Sequence, residues 1–161
     1  MFSRLFEKYV AGLVKYLYYK YGNESKAQDV AQDAFVKLYE NCKKVTVEKA
    51  KSFLYTTANN LMLNVVKHEK VVLKYQSVKP KDYTNESPEF LMRKEQFLEQ
   101  YQQALASLPE DQRVAFLLSK AEGKKHQEIA DIMGITKKSV EYKIYSALDT
   151  LKSTLEDFQL K

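Results

Sequence analysis

The most constraining feature of this sequence is a pair of helical apolar stripes separated by one glycine, Gly134. The first stripe comprises Ile129, Ala130 and Met133. The second stripe comprises Val140, Ile144, Ala147, Leu148 and Leu151. Glycine tolerates positive φ at a helix C-terminus, and the hydroxyl of Thr136 can cap the helix that follows. The stretch from Leu108 to Leu151 is therefore predicted to contain a helix-turn-helix.

The second helix of this motif turns a different set of side chains outward, because successive residues are about 100° apart. The outward set comprises Lys138, Tyr142, Tyr145, Ser146 and Asp149. In helix-turn-helix proteins the corresponding face enters the major groove of DNA. A helical hairpin that packs on a partner protein is the alternative.

Composition favours an all-α fold, since 161 residues include only four Gly and three Pro. This length suits one domain or two small ones. No apolar run approaches the roughly 18 residues of a membrane span, and charges interrupt the first ten residues, where a signal peptide needs an apolar core. We expect no membrane insertion and a cytoplasmic location.

The sequence gives little support for a metal site or for catalysis. Cys42 is the single cysteine, and the two histidines, His68 and His126, lie far apart. There is no glycine-rich phosphate loop and no nucleophile motif. We expect no cofactor, no metal site and no catalytic residues.

Positive charge is concentrated in residues 43–81, which hold nine basic and two acidic side chains, against seven and six in residues 124–161. One end of the helix predicted in this region carries amides and basic groups: Asn59, Asn60, Asn64, Lys67, His68 and Lys70. Lysines can track phosphate and amides can read base edges, so this set suits single-stranded nucleic acid. A solubilising helix end is the alternative.

Apolar periodicity predicts further helices along the chain. The first spans about 20 residues, ends at Gly22-Asn23 and carries a stripe taken to be core: Phe2, Leu5, Phe6, Tyr9, Leu13 and Leu17. The second opens with the capping box Ser25-x-x-Gln28. The third follows Thr46, with its period given by Phe53, Leu54, Thr57, Ala58, Leu61 and Val65. Another runs from Pro88 to Leu108, and Pro109 begins the next, with Ser107 as a capping candidate.

The second helix has two distinct faces. The inward face is apolar: Ala27, Val30, Ala31, Ala34 and Leu38. The outward face carries Asp29, Gln32, Asp33, Val36 and Glu40. A solvated face and a protein contact both explain the outward set, and the apolar Val36 within it favours a contact.

Residues 74–88 lack periodicity and contain two of the three prolines, so they are predicted to form a flexible linker. The expected architecture is therefore two small helical domains, residues 1–73 and residues 89–161, on either side of this linker.

Both halves together resemble a sigma factor of the extracytoplasmic-function group, within the sigma-70 family. The N-terminal resemblance lies in AQDVAQDAFVKLYE at residues 27–40 and SFLYTTANNLMLNVVK at residues 52–67. The C-terminal resemblance lies in SPEF at 87–90, LPEDQRVAFLL at 108–118 and EGKKHQEIADIMGITKKSVEYKI at 122–144. Nearly the whole chain is covered, in the right order.

The resemblance implies a transcription initiation factor, without catalytic activity, that brings RNA polymerase core to promoters and melts and reads the minus-ten element. It implies that Asp29, Gln32, Asp33, Val36 and Glu40 dock on the coiled coil of the β′ subunit, and that the β flap is a second contact. It implies that Asn59, Asn60, Asn64, Lys67, His68 and Lys70 serve the melted minus-ten strand. The minus-thirty-five readers in duplex DNA would be Lys137, Lys138, Ser139, Tyr142, Lys143 and Ser146.

The sequence also departs from its relatives, which commonly carry Arg where this chain has Asn59, Ser146, Leu148 and Thr150, and often Lys at Glu141. Arg is the best bidentate partner of guanine, so base reading and phosphate anchoring are both reduced. The hydroxyl that usually caps the first helix of the motif is replaced by Lys125. We therefore expect weak reading of the minus-thirty-five element and dependence on polymerase or an additional DNA-targeting recruiter. An anti-sigma factor is a further partner that the resemblance implies.

Two other functional classes remain open from the sequence. One is a helix-turn-helix regulator whose N-terminal domain senses or dimerises. The other is a helical adaptor that binds only protein. The outward face of residues 27–40 separates a sigma factor from a helix-turn-helix regulator, because a plain regulator has no reason to carry it.

Overall fold

A computed structural model describes residues 2–65 and 88–159 of the chain, and all regular elements in these ranges are α-helices. The all-α prediction is thereby confirmed. In chain order the helices are α1 (Phe2–Tyr21), α2 (Glu24–Glu40), α3 (Val47–Val65), α4 (Pro88–Ser107), α5 (Glu110–Lys120), α6 (His126–Met133) and α7 (Lys137–Gln159). The predicted linker at 74–88 falls outside the described residues except for Pro88, as do Lys67, His68 and Lys70.

The chain divides into two compact units, Met1–Val71 and Val72–Lys161. In the first unit α2 packs against both α1 and α3, and α1 also packs on α3. The inward face of α2 is buried as expected, with Phe35 added to the predicted set. Because three of the buried side chains on α2 are alanines, its neighbours can approach closely.

The start of α2 differs from the prediction. Asn23, and not Ser25, is the N-cap: its side-chain oxygen accepts the backbone N–H of Lys26 at 2.9 Å. Gly22 precedes it with φ of 77°. Its N–H donates to the carbonyl oxygen of Tyr18 at 2.7 Å, which closes α1 where the sequence predicted. α2 begins earlier than predicted because its N-cap, Asn23, directly follows the turn at Gly22.

The core of the first unit is displaced from the predicted stripes. On α1 burial begins at Leu13 and includes a run of tyrosines, whereas Phe2, Leu5 and Tyr9 are half-buried and Phe6 is exposed. The prediction that the whole α1 stripe is core is therefore wrong for its first two turns.

On α3 the buried residues are Ala50, Leu54, Tyr55, Ala58 and Met62. Of the predicted α3 stripe, Phe53, Thr57 and Leu61 are only half-buried, because the side of α3 that faces α1 and α2 is rotated toward Tyr55 and Met62.

In the second unit α5 is buried from Arg113 to Leu118 and packs against α6 and α7, while α7 also contacts α4. The Arg113 guanidinium donates to the carbonyl oxygen of Ala106, in the last turn of α4, at 3.5 Å, and to that of Leu108, just beyond α4, at 3.1 Å. Burial lowers the pKa of Arg113, and the nearby Glu110 carboxylate opposes that shift. A buried cation thus ties the α4–α5 connection together.

The helix-turn-helix forms as predicted. Gly134 has φ of 68° at the end of α6, and the hydroxyl of Thr136 accepts the N–H of Ser139 at 3.1 Å at the start of α7. Lys125 occupies the N-cap of α6 without a side-chain hydrogen bond. Ser107 does not cap α5: Pro109 is the N-cap, and the Ser107 hydroxyl donates back to the carbonyl oxygen of Ala104 at 2.8 Å.

Candidate functional site

The outward face of α2 presents a continuous acidic and amide surface. We call Asp29, Gln32, Asp33, Val36 and Glu40 the acidic face, and all five side chains are exposed. Val36 is 54% exposed, although it is apolar and lies among charged groups. Such a side chain in water costs free energy that contact with a partner would recover.

An aromatic side chain that the sequence analysis missed adjoins the acidic face. Tyr39 is 63% exposed, and its ring meets the ring of Phe2 edge to face with centroids 5.4 Å apart. Tyr39 follows Val36 by three positions, so the two side chains are neighbours on the helix surface. In the sequence, Tyr39 lies beside the outward set of α2. Helical period alone does not decide whether its side chain is exposed or buried.

The three asparagines of α3 lie in two different environments. Asn59 is held between helices: its Nδ2 donates to the hydroxyl of Tyr16 at 3.0 Å. Its Oδ1 accepts from the Lys20 ammonium and from the Tyr21 hydroxyl, both at 3.3 Å. Asn60 and Asn64 are exposed. Of the three asparagines, the structure therefore exposes Asn60 and Asn64 and leaves Asn59 half-buried.

Leu63, which was not singled out from the sequence, is exposed three positions after Asn60, so the two side chains are neighbours on α3. An apolar side chain beside an amide can offer a surface to an unstacked base while the amide bonds its edge.

The outward side of α7 carries the groups predicted to meet duplex DNA. Lys137, Lys138 and Tyr142 are exposed, and Ser139, Lys143 and Ser146 are half-buried. Tyr142 and Tyr145 are 71% and 72% exposed, so two rings dominate the surface of this helix.

One ion pair and one carboxylate–histidine contact engage charged groups of α7. The Lys143 ammonium lies 3.7 Å from a carboxylate oxygen of Asp111 on α5. The Glu141 carboxylate lies 3.7 Å from Nδ1 of His126, the first residue of α6. A lysine held by a carboxylate offers less positive potential to phosphate than a free one.

The second unit also has an apolar groove of about 280 Å³. It is lined by Phe97, Tyr101, Phe116, Leu148, Leu151, Lys152 and Leu155. The rings of Phe97 and Tyr101 stack with centroids 6.5 Å apart. Burial raises the pKa of Tyr101.

Two absences hold for the part of the chain that the structure describes. No helix there combines the length and apolar character needed to cross a membrane. No group of three His, Cys, Asp or Glu side chains in the described ranges is placed to hold a metal ion.

Two protein-family models match this chain. The family model described as sigma-70 region 2 matches residues 5–71, and that described as sigma-70, region 4, matches residues 98–151. The first match contains the acidic face and the α3 asparagines. The second contains the helix-turn-helix.

Curated relatives cover most of the chain at low identity. The ferric citrate uptake sigma factor FecI of Escherichia coli is 28% identical over 151 residues, spanning 92% of this chain and 87% of its own. The ECF RNA polymerase sigma factor SigE of Mycolicibacterium smegmatis is 24% identical over 139 residues, or 83% of this chain. The aligned part spans only about half, 53%, of that relative's length.

A solved structure shares the fold. The sigma factor RpoE of Bartonella quintana, in complex with the anti-sigma factor NepR, superposes with a TM-score of 0.61. Sequence identity is 19%, and the superposition covers 96% of both chains.

Proposed function

Since this chain belongs to the sigma-70 family, in its extracytoplasmic-function group, we propose that it binds RNA polymerase core and directs it to promoters. The observation that carries this function is the presence of a region 2 match and a region 4 match, in that order, on one chain. A plain helix-turn-helix regulator would account for the second match and leave the first without a use.

The first unit is proposed to dock on polymerase through the acidic face. Carboxylates and an amide surround Val36 there, so the complementary surface is a helix with basic and apolar side chains. The coiled coil of the β′ subunit is the element that the family resemblance assigns to this role. We propose the β flap as a second contact, made by the second unit.

The first unit is also proposed to hold the melted minus-ten strand. Asn60 and Asn64 support this role because both are exposed and their amides can bond base edges. Lys67, His68 and Lys70 belong to the same proposal from sequence alone. Asn59 contributes differently, because its amide is engaged with Tyr16, Lys20 and Tyr21 of α1.

The second unit is proposed to meet the minus-thirty-five duplex through Lys137, Lys138, Ser139, Tyr142, Lys143 and Ser146. The Asp111–Lys143 pair supports weak reading of this element, as does the absence of arginine from α7. Weak reading would make placement depend on polymerase or on an additional DNA-targeting recruiter.

Control of this activity is proposed to come from outside the chain. The related sigma factor of Bartonella quintana was solved with an anti-sigma factor, and a similar inhibitor is a proposed partner for this chain. Sigma factors act as transcription factors without enzymatic activity, and we propose the same for this chain. We propose the bacterial cytoplasm as its site of action, because RNA polymerase is its proposed partner.

The test of the polymerase interface is a double substitution, Asp29→Lys with Gln32→Ala. Both residues are exposed, so the fold should be kept while charge and shape complementarity are lost. We expect binding to core polymerase in a native gel shift to be lost, with an unchanged circular dichroism melt.

A matched control is Glu99→Lys with Gln103→Ala, which makes the same chemical changes at exposed positions of α4. This control should bind core polymerase as the unmodified chain does. Unchanged affinity of the Asp29 and Gln32 variant would contradict the assignment of the acidic face.

A further inference from the structure

Two exposed tyrosine rings form the most apolar part of the outward side of α7. Tyr142 and Tyr145 are 71% and 72% exposed, the highest values among the exposed large hydrophobic side chains of the described residues. They are three positions apart, so they are neighbours on the helix surface. Contact with a partner would remove a large aromatic area from water, which makes this pair of rings a candidate contact surface.

The rings lie between a positive and a negative group along α7. Four exposed side chains fall within an arc of about 60° around the helix: Lys138, Tyr142, Tyr145 and Asp149. Lys138 comes first, next to the exposed Lys137 in the capped first turn. Asp149 lies about 6 Å beyond Tyr145 along the axis. A polyanion would therefore meet the N-terminal half of this face, because its phosphates are repelled at Asp149.

This polarity favours duplex DNA as the occupant of the face. α7 is the second helix of the helix-turn-helix, and the N-terminal residues of such a helix meet base edges in the major groove. Lys137 and Lys138 can pair with phosphates at the start of the helix. Tyr142 follows Lys138 by one turn, so its ring would lie nearer to the bases.

The chemistry of the rings selects one base. In the major groove thymine presents an apolar group, its C5 methyl, and apolar side chains contact that methyl. Guanine is matched best by the arginine fork, and α7 has no arginine. Lys143 is paired with Asp111 at 3.7 Å. The outward side of α7 is therefore poor in groups for guanine and offers two apolar surfaces to thymine.

The spacing of the two rings suits neighbouring bases. Positions 142 and 145 are about 4.5 Å apart along the helix axis, and successive bases on one strand are about 3.4 Å apart. A helix that lies along the groove can therefore set one ring on each of two neighbouring thymines.

We propose that Tyr142 and Tyr145 form a thymine-reading surface, in which each ring packs on the C5 methyl of one of two neighbouring thymines in the minus-thirty-five element. This inference rests on the proposed function and adds Tyr145 to the proposed readers. A methyl contact discriminates between bases without neutralising phosphate. Selectivity can therefore persist while the affinity of the second unit for duplex DNA stays low.

The first measurement finds the sequence preferred by the holoenzyme, formed from the full chain and core polymerase. Duplexes randomised across the promoter region are selected for retention by the holoenzyme and sequenced. We expect two neighbouring thymines to be enriched upstream of the minus-ten element. With Tyr142→Ala, one of these two thymines should lose its enrichment while the minus-ten element keeps its own.

The second measurement replaces each enriched upstream thymine with uracil, which lacks the C5 methyl and keeps the hydrogen-bonding groups. Each replacement should weaken binding of the holoenzyme by about fourfold, the factor for one buried methyl group. Uracil in place of a thymine between the two elements is the control and should leave the affinity unchanged. The fourfold ratio should be the same at low and high salt, because the methyl contact releases no counterions.

Ring variants assign each contact to one base. With Tyr142→Ala, uracil at one of the two positions should change the affinity by less than about 1.5-fold, while the other position keeps its full effect. Tyr145→Ala should show the converse. Tyr142→Phe keeps the ring and should keep both effects. Circular dichroism melts of the three variants should coincide with that of the unmodified chain, because both rings are exposed.

The outcomes separate this inference from the function on which it rests. If the unmodified chain does not bind core polymerase, or if the holoenzyme selects no sequence, the proposed function fails. If the holoenzyme selects a minus-ten element but no upstream thymine, or tolerates uracil at every upstream thymine, the function stands and the inference is overturned. If Tyr142→Ala weakens binding to core polymerase in the absence of DNA, the ring contacts protein, and this too overturns the inference.

Discussion

Asn59 and Asn60 are identical in chemistry and adjacent in the chain, yet α3 turns them toward different surroundings. Asn59 bonds the hydroxyl of Tyr16 at 3.0 Å and accepts from Lys20 and Tyr21, so it joins α3 to α1. Asn60 is exposed. The sequence predicts that both contact the melted strand, whereas the contacts of Asn59 indicate that it orients α3, and with it Asn60 and Asn64.

The first residue-scale prediction concerns stability. Asn59→Ala removes a partner from three polar groups of α1, and it should lower the free energy of unfolding by about 1–3 kcal/mol. Asn60→Ala, at an exposed position, should change it by less than about 0.5 kcal/mol. Urea denaturation followed by circular dichroism measures both. Equal effects of the two substitutions would contradict the distinction drawn between these asparagines.

The second residue-scale prediction concerns promoter opening. Asn60→Ala with Asn64→Ala should leave core binding intact but slow opening, because amides bond base edges only once the strand is exposed. A fluorescent base analogue in the minus-ten element reports the opening rate. A template with a pre-opened bubble is the control for the strand-separation step. Normal opening by the double variant would assign both amides to another role.

At the scale of single elements, the two helices of the helix-turn-helix begin differently. Thr136 caps α7 through the N–H of Ser139 at 3.1 Å. Lys125 stands at the same position of α6 and supplies no side-chain acceptor. The first turn of α6 therefore leaves backbone N–H groups without the side-chain partner that a serine or threonine would provide.

The corresponding prediction is that Lys125→Ser stabilises the chain and Thr136→Ala destabilises it, each by about 1 kcal/mol. Lys125→Ala removes the same charge as Lys125→Ser but adds no hydroxyl, so it is the matched control and should not stabilise. Urea midpoints of the full chain measure all three. Equal midpoints for Lys125→Ser and Lys125→Ala would show that charge, and not capping, sets the effect.

At the scale of the whole molecule, the excess of positive charge does not coincide with the helix-turn-helix. Residues 43–81 carry nine basic and two acidic side chains, whereas residues 124–161 carry seven and six. On α7 the Lys143 ammonium is paired with the Asp111 carboxylate at 3.7 Å, which offsets one more positive charge. Affinity for duplex DNA scales with the phosphates that a protein neutralises, so the second unit is poorly equipped to anchor itself.

The whole-molecule prediction is that the full chain alone binds promoter duplex more weakly than about 10⁻⁸ M at physiological salt. Glu141→Lys should strengthen binding and steepen its salt dependence, because it adds a cation to α7. Glu99→Lys makes the same charge change on α4 and serves as the control. Fluorescence anisotropy across a salt series measures these affinities. Tight, sequence-selective binding by the unmodified chain would contradict the prediction.

The sequence by itself determined the features that depend on local repetition. Helical period and the scarcity of glycine predicted the all-α fold and the end of α1 at Gly22, but not the start of α2. The alternation on α2 predicted which side would be exposed. Gly134 and Thr136 defined the turn of the helix-turn-helix, because positive φ and an N-cap hydroxyl act within a few residues.

Only the tertiary structure decided the features that depend on residues distant in the chain. Asn59 meets Tyr16 across 43 positions, and no period on α3 distinguishes that partner from solvent. Phe6 and Tyr39 have the spacing of core residues but are exposed, because no other helix among the described residues covers them. Burial of a stripe requires a neighbour as well as a period, and the neighbours come from packing between elements, which local spacing does not encode.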